Sequence, residues 1–128
     1  PSGIGTTRGL EGFVDFHQLP FRKVFPRNPS APQAPGLGKH GGSHYVRIGD
    51  GRFSATGGWP SRHMMHTGGG WLGLGASGRA ITMRVMDFYS ADQGLIRENW
   101  VPIDILQVLL QLDVDVLARV RSKFARRG

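Results

Sequence analysis

A carboxylate, Asp87, stands among apolar side chains in the stretch from Ala80 to Asp104, which reads as two strands joined by a tight turn. Side chains alternate faces along a strand, so Ile81, Met83, Val85, Asp87 and Tyr89 share one face. Burial disfavours the charged form of a carboxylate, which is how a protein prepares a general acid or base without a cofactor. A buried aspartate bonded to backbone, or paired with Arg84 or Arg97, is the competing use of the same residue. A second acid, Asp104, closes the stretch, and it can either enter the same space or cap a helix starting at Ile105. The register of the hairpin decides which acids meet. With Asp87 opposite Ile96, the side chains of Glu98, Trp100 and Asp104 share its face; with Asp87 opposite Arg97, Trp100 falls outside. Two carboxylates in one dry pocket titrate apart, leaving one as base and the other as acid.

Other chemistry-bearing residues point less sharply. His17 falls on or beside an apolar stripe, where a histidine is usually a satisfied core residue. His63 and His66 lie three apart in a segment that reads as strand, so they face opposite ways; His40 sits in a glycine-rich loop four residues before His44. No metal site is expected from either pair. The chain has no cysteine, which removes thiolate chemistry, and no serine in a strand-elbow-helix setting. The glycine-dense run Gly68 to Gly75 lacks the Lys-Ser/Thr pair of a phosphate loop, and its glycines are better suited to letting two backbones pass closely. Trp59, Trp71 and Trp100 either line a cavity or fill the core.

The elements that must position these residues follow from pattern. Apolar residues from Leu10 to Val24 recur near helical spacing, with Pro20 predicting a kink or two short helices. Prolines 26, 29, 32 and 35 and the glycines that follow make Pro26 to Gly42 a loop, or a flap over a pocket mouth. Strands are expected at His44 to Ile48 and Arg52 to Thr56 about an Asp50-Gly51 turn, with a third around Trp59 to His66. Beyond the hairpin, which is expected to turn at Ser90 to Gly94, Leu106 to Phe124 shows amphipathic helical spacing, broken near Asp113 and Asp115. The outcome is one α+β domain over residues 1–128, with a curved, mostly antiparallel sheet covered by helices.

Composition narrows the function classes. At 128 residues the chain is long enough for one real core, and no apolar run approaches the roughly 20 residues needed to span a bilayer. The net charge of +7 is scattered except in the tail, where Arg119, Arg121, Lys123, Arg126 and Arg127 cluster. No nucleic-acid motif accompanies that cluster, so a nucleic-acid partner is not expected. Cytoplasm is the default compartment.

The ordered motifs resemble those of SnoaL-like polyketide cyclases, of the superfamily named after nuclear transport factor two. His66-Thr67-Gly68 through Gly78-Arg79 is similar to that family's histidine-threonine-glycine stretch. Met83 to Tyr89 and Leu95 to Asp104 are similar to its closing acidic and tryptophan-bearing strands, and Leu106 to Leu112 to its last helix, with Gln111 at the glutamine. Phe21 to Pro26 is similar to the end of an early family helix. The resemblance spans roughly residues 10 to 120 and implies a cone-shaped α+β barrel around an apolar pocket, usually as a homodimer. It implies acid/base ring closure on an apolar, polyketide-like, carbonyl-bearing small molecule, without metal or cofactor. Asp104 would be the base, with Asp87 and His66 as further catalytic groups. Trp100, Trp59, His17, Tyr89 and Glu98 are expected to contact substrate. Isomerases, dehydratases, epoxide hydrolases and non-catalytic binding or assembly modules share the fold. The chain departs from the pattern in lacking the family's opening helix and in carrying Asn99 where many members have a histidine or an acid.

Overall fold

A computed structural model describes residues 4–31 and 44–126. The architecture is mixed α and β, built on a curved antiparallel sheet of four strands in the order β1-β2-β3-β4. β1 (Val46–Asp50) and β4 (Leu95–Trp100) are short, whereas β2 (Phe53–His66) and β3 (Arg79–Asp92) run for 14 residues each. The expected third strand near Trp59 is the second half of β2. The β2–β3 ladder breaks between Gly58 and Arg62 and then resumes, so what sequence reads as an interruption is a bulge in one continuous strand.

Each short strand covers only half of its long neighbour, and other segments take over the remaining edge. Residues 24–28 run beside the second half of β2: Met65 N–H donates to Pro26 O, Asn28 N–H to His63 O, and Arg27 bridges Met64. The start of the expected loop is therefore ladder, while its residues 32–42 lie outside the described residues. On the far edge Asp104 N–H donates to Arg84 O, and Met86 N–H to Pro102 O. Beyond that point Gln111 takes over with its side chain. Thr82 N–H donates to Gln111 Oε1 at 2.9 Å, and Gln111 Nε2 donates to Thr82 O at 2.9 Å. A primary amide reproduces the donor-acceptor pair of a strand neighbour, so α3 (Ile105–Gln111) docks where a fifth strand would lie.

The opening helical run divides at the expected proline. α1 (Gly9–Phe13) passes into a π-helical turn (Val14–Gln18) and then α2 (Leu19–Val24), with Pro20 early in the last segment. Pro20 has no N–H to give to the carbonyl four residues back, and its ring crowds that carbonyl, which favours the wider turn before it. Asp115 caps α4 (Val116–Ala125) by accepting from Ala118 N–H, whereas Asp113, at positive φ, pairs with Arg79.

The core lies on one face of β2 and β3. Ile81, Met83 and Val85 from β3, and Met64 from β2, are buried with Phe25, Trp71, Val108 and Leu109. The opposite face of the sheet is open: Ile48, Ala55, Phe88 and Trp100 form one row across it, and all but Ala55 are exposed.

Candidate acid/base site

The alternation along β3 brings Asp87 onto the covered face, where it is buried at 8% exposure. The β2–β3 register sets Thr56 directly opposite, and paired residues share a face. His44, just ahead of β1, leans onto the same spot. Its Nδ1 lies 3.1 Å from Thr56 Oγ1 and 3.7 Å from Asp87 Oδ2. Tyr89, two residues along β3, shares this face, and Thr56 acts on its pKa against the upward pull of burial. Arg62 acts electrostatically on both His44 and Tyr89, and the charge of Asp87 reaches His17 on the π-helical turn.

The fields in this cluster are graded. Burial lowers the His44 pKa below the ordinary imidazole value, with Arg62 and Arg47 acting in the same sense and Asp87 opposing them. His44 is thus a neutral imidazole near pH 7, and its Nε2 is buried with no hydrogen-bond partner among the described residues. His17 is also lowered, chiefly by burial, with Asp87 pulling upward. The Tyr89 phenol is raised by burial and by Asp87, against the influence of Thr56 and the charge of Arg62, so it keeps its proton. The side chains of His44 and Asp87 remain 18% and 12% exposed, although Nε2 of His44 is itself buried. A neutral imidazole held by Thr56, a carboxylate 3.7 Å from it, a protonated phenol and a guanidinium are the parts of a proton-transfer site.

Of the expected site residues, Asp87 and Tyr89 share the covered face of β3 and His17 lies within electrostatic reach of Asp87; the others do not join them. Neither expected register of the last hairpin occurs. The chain turns at Gln93-Gly94, both at positive φ, and β3 and β4 extend right up to that turn, pairing Asp92 with Leu95 and Ala91 with Ile96. A bulge then shifts the ladder to pair Ser90 with Glu98 and Phe88 with Trp100. Asp87 therefore lies beyond the end of β4, and Trp100 and Glu98 fall on the open face with Phe88 and Ser90. There Ser90 Oγ donates to Glu98 Oε2 at 3.2 Å.

Asp104 is turned away from Asp87. It caps α3 by accepting from Gln107 N–H at 3.1 Å and pairs with Arg84 at 3.2 Å, and Arg84 occupies the β3 face opposite to that of Asp87. Trp59 is about half exposed beneath the Arg84 guanidinium. His66 is on the covered face but at the far end of β2, opposite Arg79. It is buried at 1% exposure, stacked on Phe25, with Nδ1 2.9 Å from Ser77 Oγ. Its pKa is lowered by burial alone.

His44, Thr56 and Arg62 join the site without a signal in the residue pattern. Thr56 follows from the β2–β3 register once that is known, but His44 and Arg62 sit next to a loop and a bulge, where side-chain periodicity gives no direction. Among the described residues no cluster of three or more metal-binding side chains occurs, and no helix is long and apolar enough to cross a membrane. Two surface hollows have neither Asp87 nor His44 in their lining, although Tyr89 borders the first. One, of about 450 Å³, is bounded by Phe53, Ser54, Phe88, Tyr89 and Trp100; the other, of about 380 Å³, lies between α3 and α4. In comparisons with known proteins, no family model and no curated sequence matches the chain.

Proposed function

We propose that the chain is a cofactor-independent acid/base enzyme of the SnoaL-like, polyketide-cyclase type, acting on an apolar small molecule that carries a carbonyl group. The observation that carries this reading is the neutral imidazole of His44, held between Thr56 and Asp87 with Nε2 unengaged among the described residues. His44 would take a proton from the carbon beside the carbonyl, and Asp87 would stabilise the imidazolium that forms. The Tyr89 hydroxyl would donate to the enolate oxygen, with Arg62 supplying positive charge nearby. The proton-abstracting role thus passes from Asp104 to the His44–Asp87 pair, since Asp104 is engaged as a cap and an ion pair. The antiparallel sheet with one covered face is compatible with the cone-shaped barrel of that family. The exposed row of Ile48, Phe88 and Trp100, with Phe53 beside it, is the surface through which a homodimer would form.

The test is deuterium exchange at the activated carbon of aromatic β-ketoesters, followed by NMR. Wild-type protein should accelerate exchange, with a rate that rises with pH through a base weaker than ordinary histidine. His44→Gln and Asp87→Asn should each lose most of the acceleration. Unchanged exchange in both variants overturns the assignment. A second reading, a small-molecule-binding module without turnover, is favoured by the absence of both Asp87 and His44 from the lining of either hollow. It predicts ligand binding in wild type with no exchange.

A further inference from the structure

The last helix carries a surface that the proposed chemistry does not use. Among the described elements α4 packs against α3, and Val116 reaches the core, but Leu117, Val120 and Phe124 stay exposed at 53%, 43% and 69%. Leu106 and Leu110 of α3 are also exposed, and they line the hollow between the two helices together with Leu117 and Arg121. The result is one apolar strip drawn from two helices.

Charge frames the strip. At about 100° per residue, Val116, Val120, Phe124 and Leu117 fill one arc of α4; Arg121 lies about 40° beyond one border and Lys123 about 20° beyond the other. Arg119 and Arg126 lie further round on the Lys123 side, so Arg121 alone marks the other border. Long cationic side chains at the borders of an apolar arc can lay their stems along it and lift their charged ends to a common plane. We infer that this strip docks on an anionic lipid surface, with Leu117, Val120 and Phe124 entering the headgroup boundary and the cations meeting the phosphates. Cations on both borders suit a laterally uniform negative plane better than a single acidic helix, which offers charge along one edge. A second copy of the strip would bring like charges together. A nucleic acid would leave the apolar arc without a partner. The contact is with the surface and needs no spanning helix.

Co-sedimentation of the full chain with phosphatidylcholine vesicles, with and without phosphatidylserine, tests this. Binding should be on the order of tenfold stronger or more when phosphatidylserine is present, and should weaken in salt. The double substitution Leu117→Glu, Phe124→Glu should lose that binding while keeping the wild-type melting temperature, because both side chains are already more than half exposed. Should that variant fail to fold, Arg121→Glu, Lys123→Glu serves with the same readout. Equal binding to neutral vesicles, or no binding to anionic ones, overturns the inference. So does full binding by the Leu117/Phe124 variant with sensitivity to salt alone, the behaviour of a purely electrostatic contact such as one with nucleic acid.

Discussion

Gln111 is the residue whose removal has the most calculable effect on the fold. Its amide bonds both main-chain groups of Thr82 at 2.9 Å and also donates to Gln107 Oε1 at 2.8 Å, so it ties α3 to the free edge of β3. In Gln111→Leu the Thr82 N–H and C=O lose their partners in a half-buried setting. Each such hydrogen bond contributes about 0.5 to 1.5 kcal/mol net, so the loss should be about 1 to 3 kcal/mol. For a chain of this length each kcal/mol lowers the melting temperature by roughly 4 °C, giving a fall of about 4 to 12 °C. Thr82→Val separates main-chain from side-chain effects. It keeps the branched shape and removes only a hydroxyl 3.4 Å from Gln111 Oε1, and it should change stability by less than about 0.5 kcal/mol.

Gln111→Glu gives the sharper version of the same test. An ionised carboxylate still accepts from Thr82 N–H but sets a second oxygen against Thr82 O, where the amide had a donor. Only the protonated acid can restore the pair. The folded state should therefore hold that proton above the usual glutamate range, about 4.3, and the stability deficit relative to wild type should grow as pH rises. Thermal melts by circular dichroism at several pH values read all of this. A Gln111→Leu protein that melts with wild type, or a Gln111→Glu deficit independent of pH, would refute the amide-for-strand pairing.

Three further outcomes follow from the structure. A Cβ built on Gly68 would lie 2.4 Å from Lys23 O and 2.6 Å from Val24 Cα, so Gly68→Ala must push α2 off β2 and should cost about 1 to 3 kcal/mol in a denaturant titration; Gly75→Ala, with nothing within 4 Å, should be near neutral. His66 has a lowered folded pKa, so the unfolded chain protonates first as pH falls below about 6.5; stability should drop as pH falls from there to the folded pKa, at most about 1.4 kcal/mol per pH unit from this group, and His66→Asn should flatten that part of the profile. Asp87→Asn should lower the pKa of His44, His17 and Tyr89 in NMR titrations and leave His66 where it is, because Asp87 raises the first three and does not act on the fourth; a uniform shift, or none, would break the assigned cluster.

Much of the covered face is legible in the residue pattern alone. Alternation sets Ile81, Met83, Val85 and Asp87 on one side of a strand, and all four are buried there. Pro20 marks the break in the first helical run, and Asp104 and Asp115 mark helix starts, because capping and proline chemistry are local. The hairpin register is not legible in the same way. It depends on Gln93, a residue other than glycine, taking a φ of 49° so that the turn closes in two residues, and then on a bulge past Ala91. Neither feature leaves a periodic trace. The length of β2 is hidden for the same reason, since Gly57, Gly58 and Pro60 read as a stop and serve as a bend. Gly57 itself is fixed by packing: a Cβ there would meet Val85 O at 2.3 Å.

That one register changes the chemistry the chain can support. Were the two acids on one face, they would share a proton, and the site would run as a carboxylate dyad with two coupled titrations. With Asp104 on the Arg84 side and Asp87 on the covered side, the coupling is instead between one carboxylate and two histidines, His44 at 3.7 Å and His17 at longer range. A buried imidazole that loses its charge and a buried phenol that keeps its proton are driven by the same desolvation, so in the proposed reaction base and acid would be prepared together without a second carboxylate. Asp104 then belongs to the scaffold. It starts α3, which carries Gln111 to the open edge of β3 and holds closed the face on which Asp87 sits.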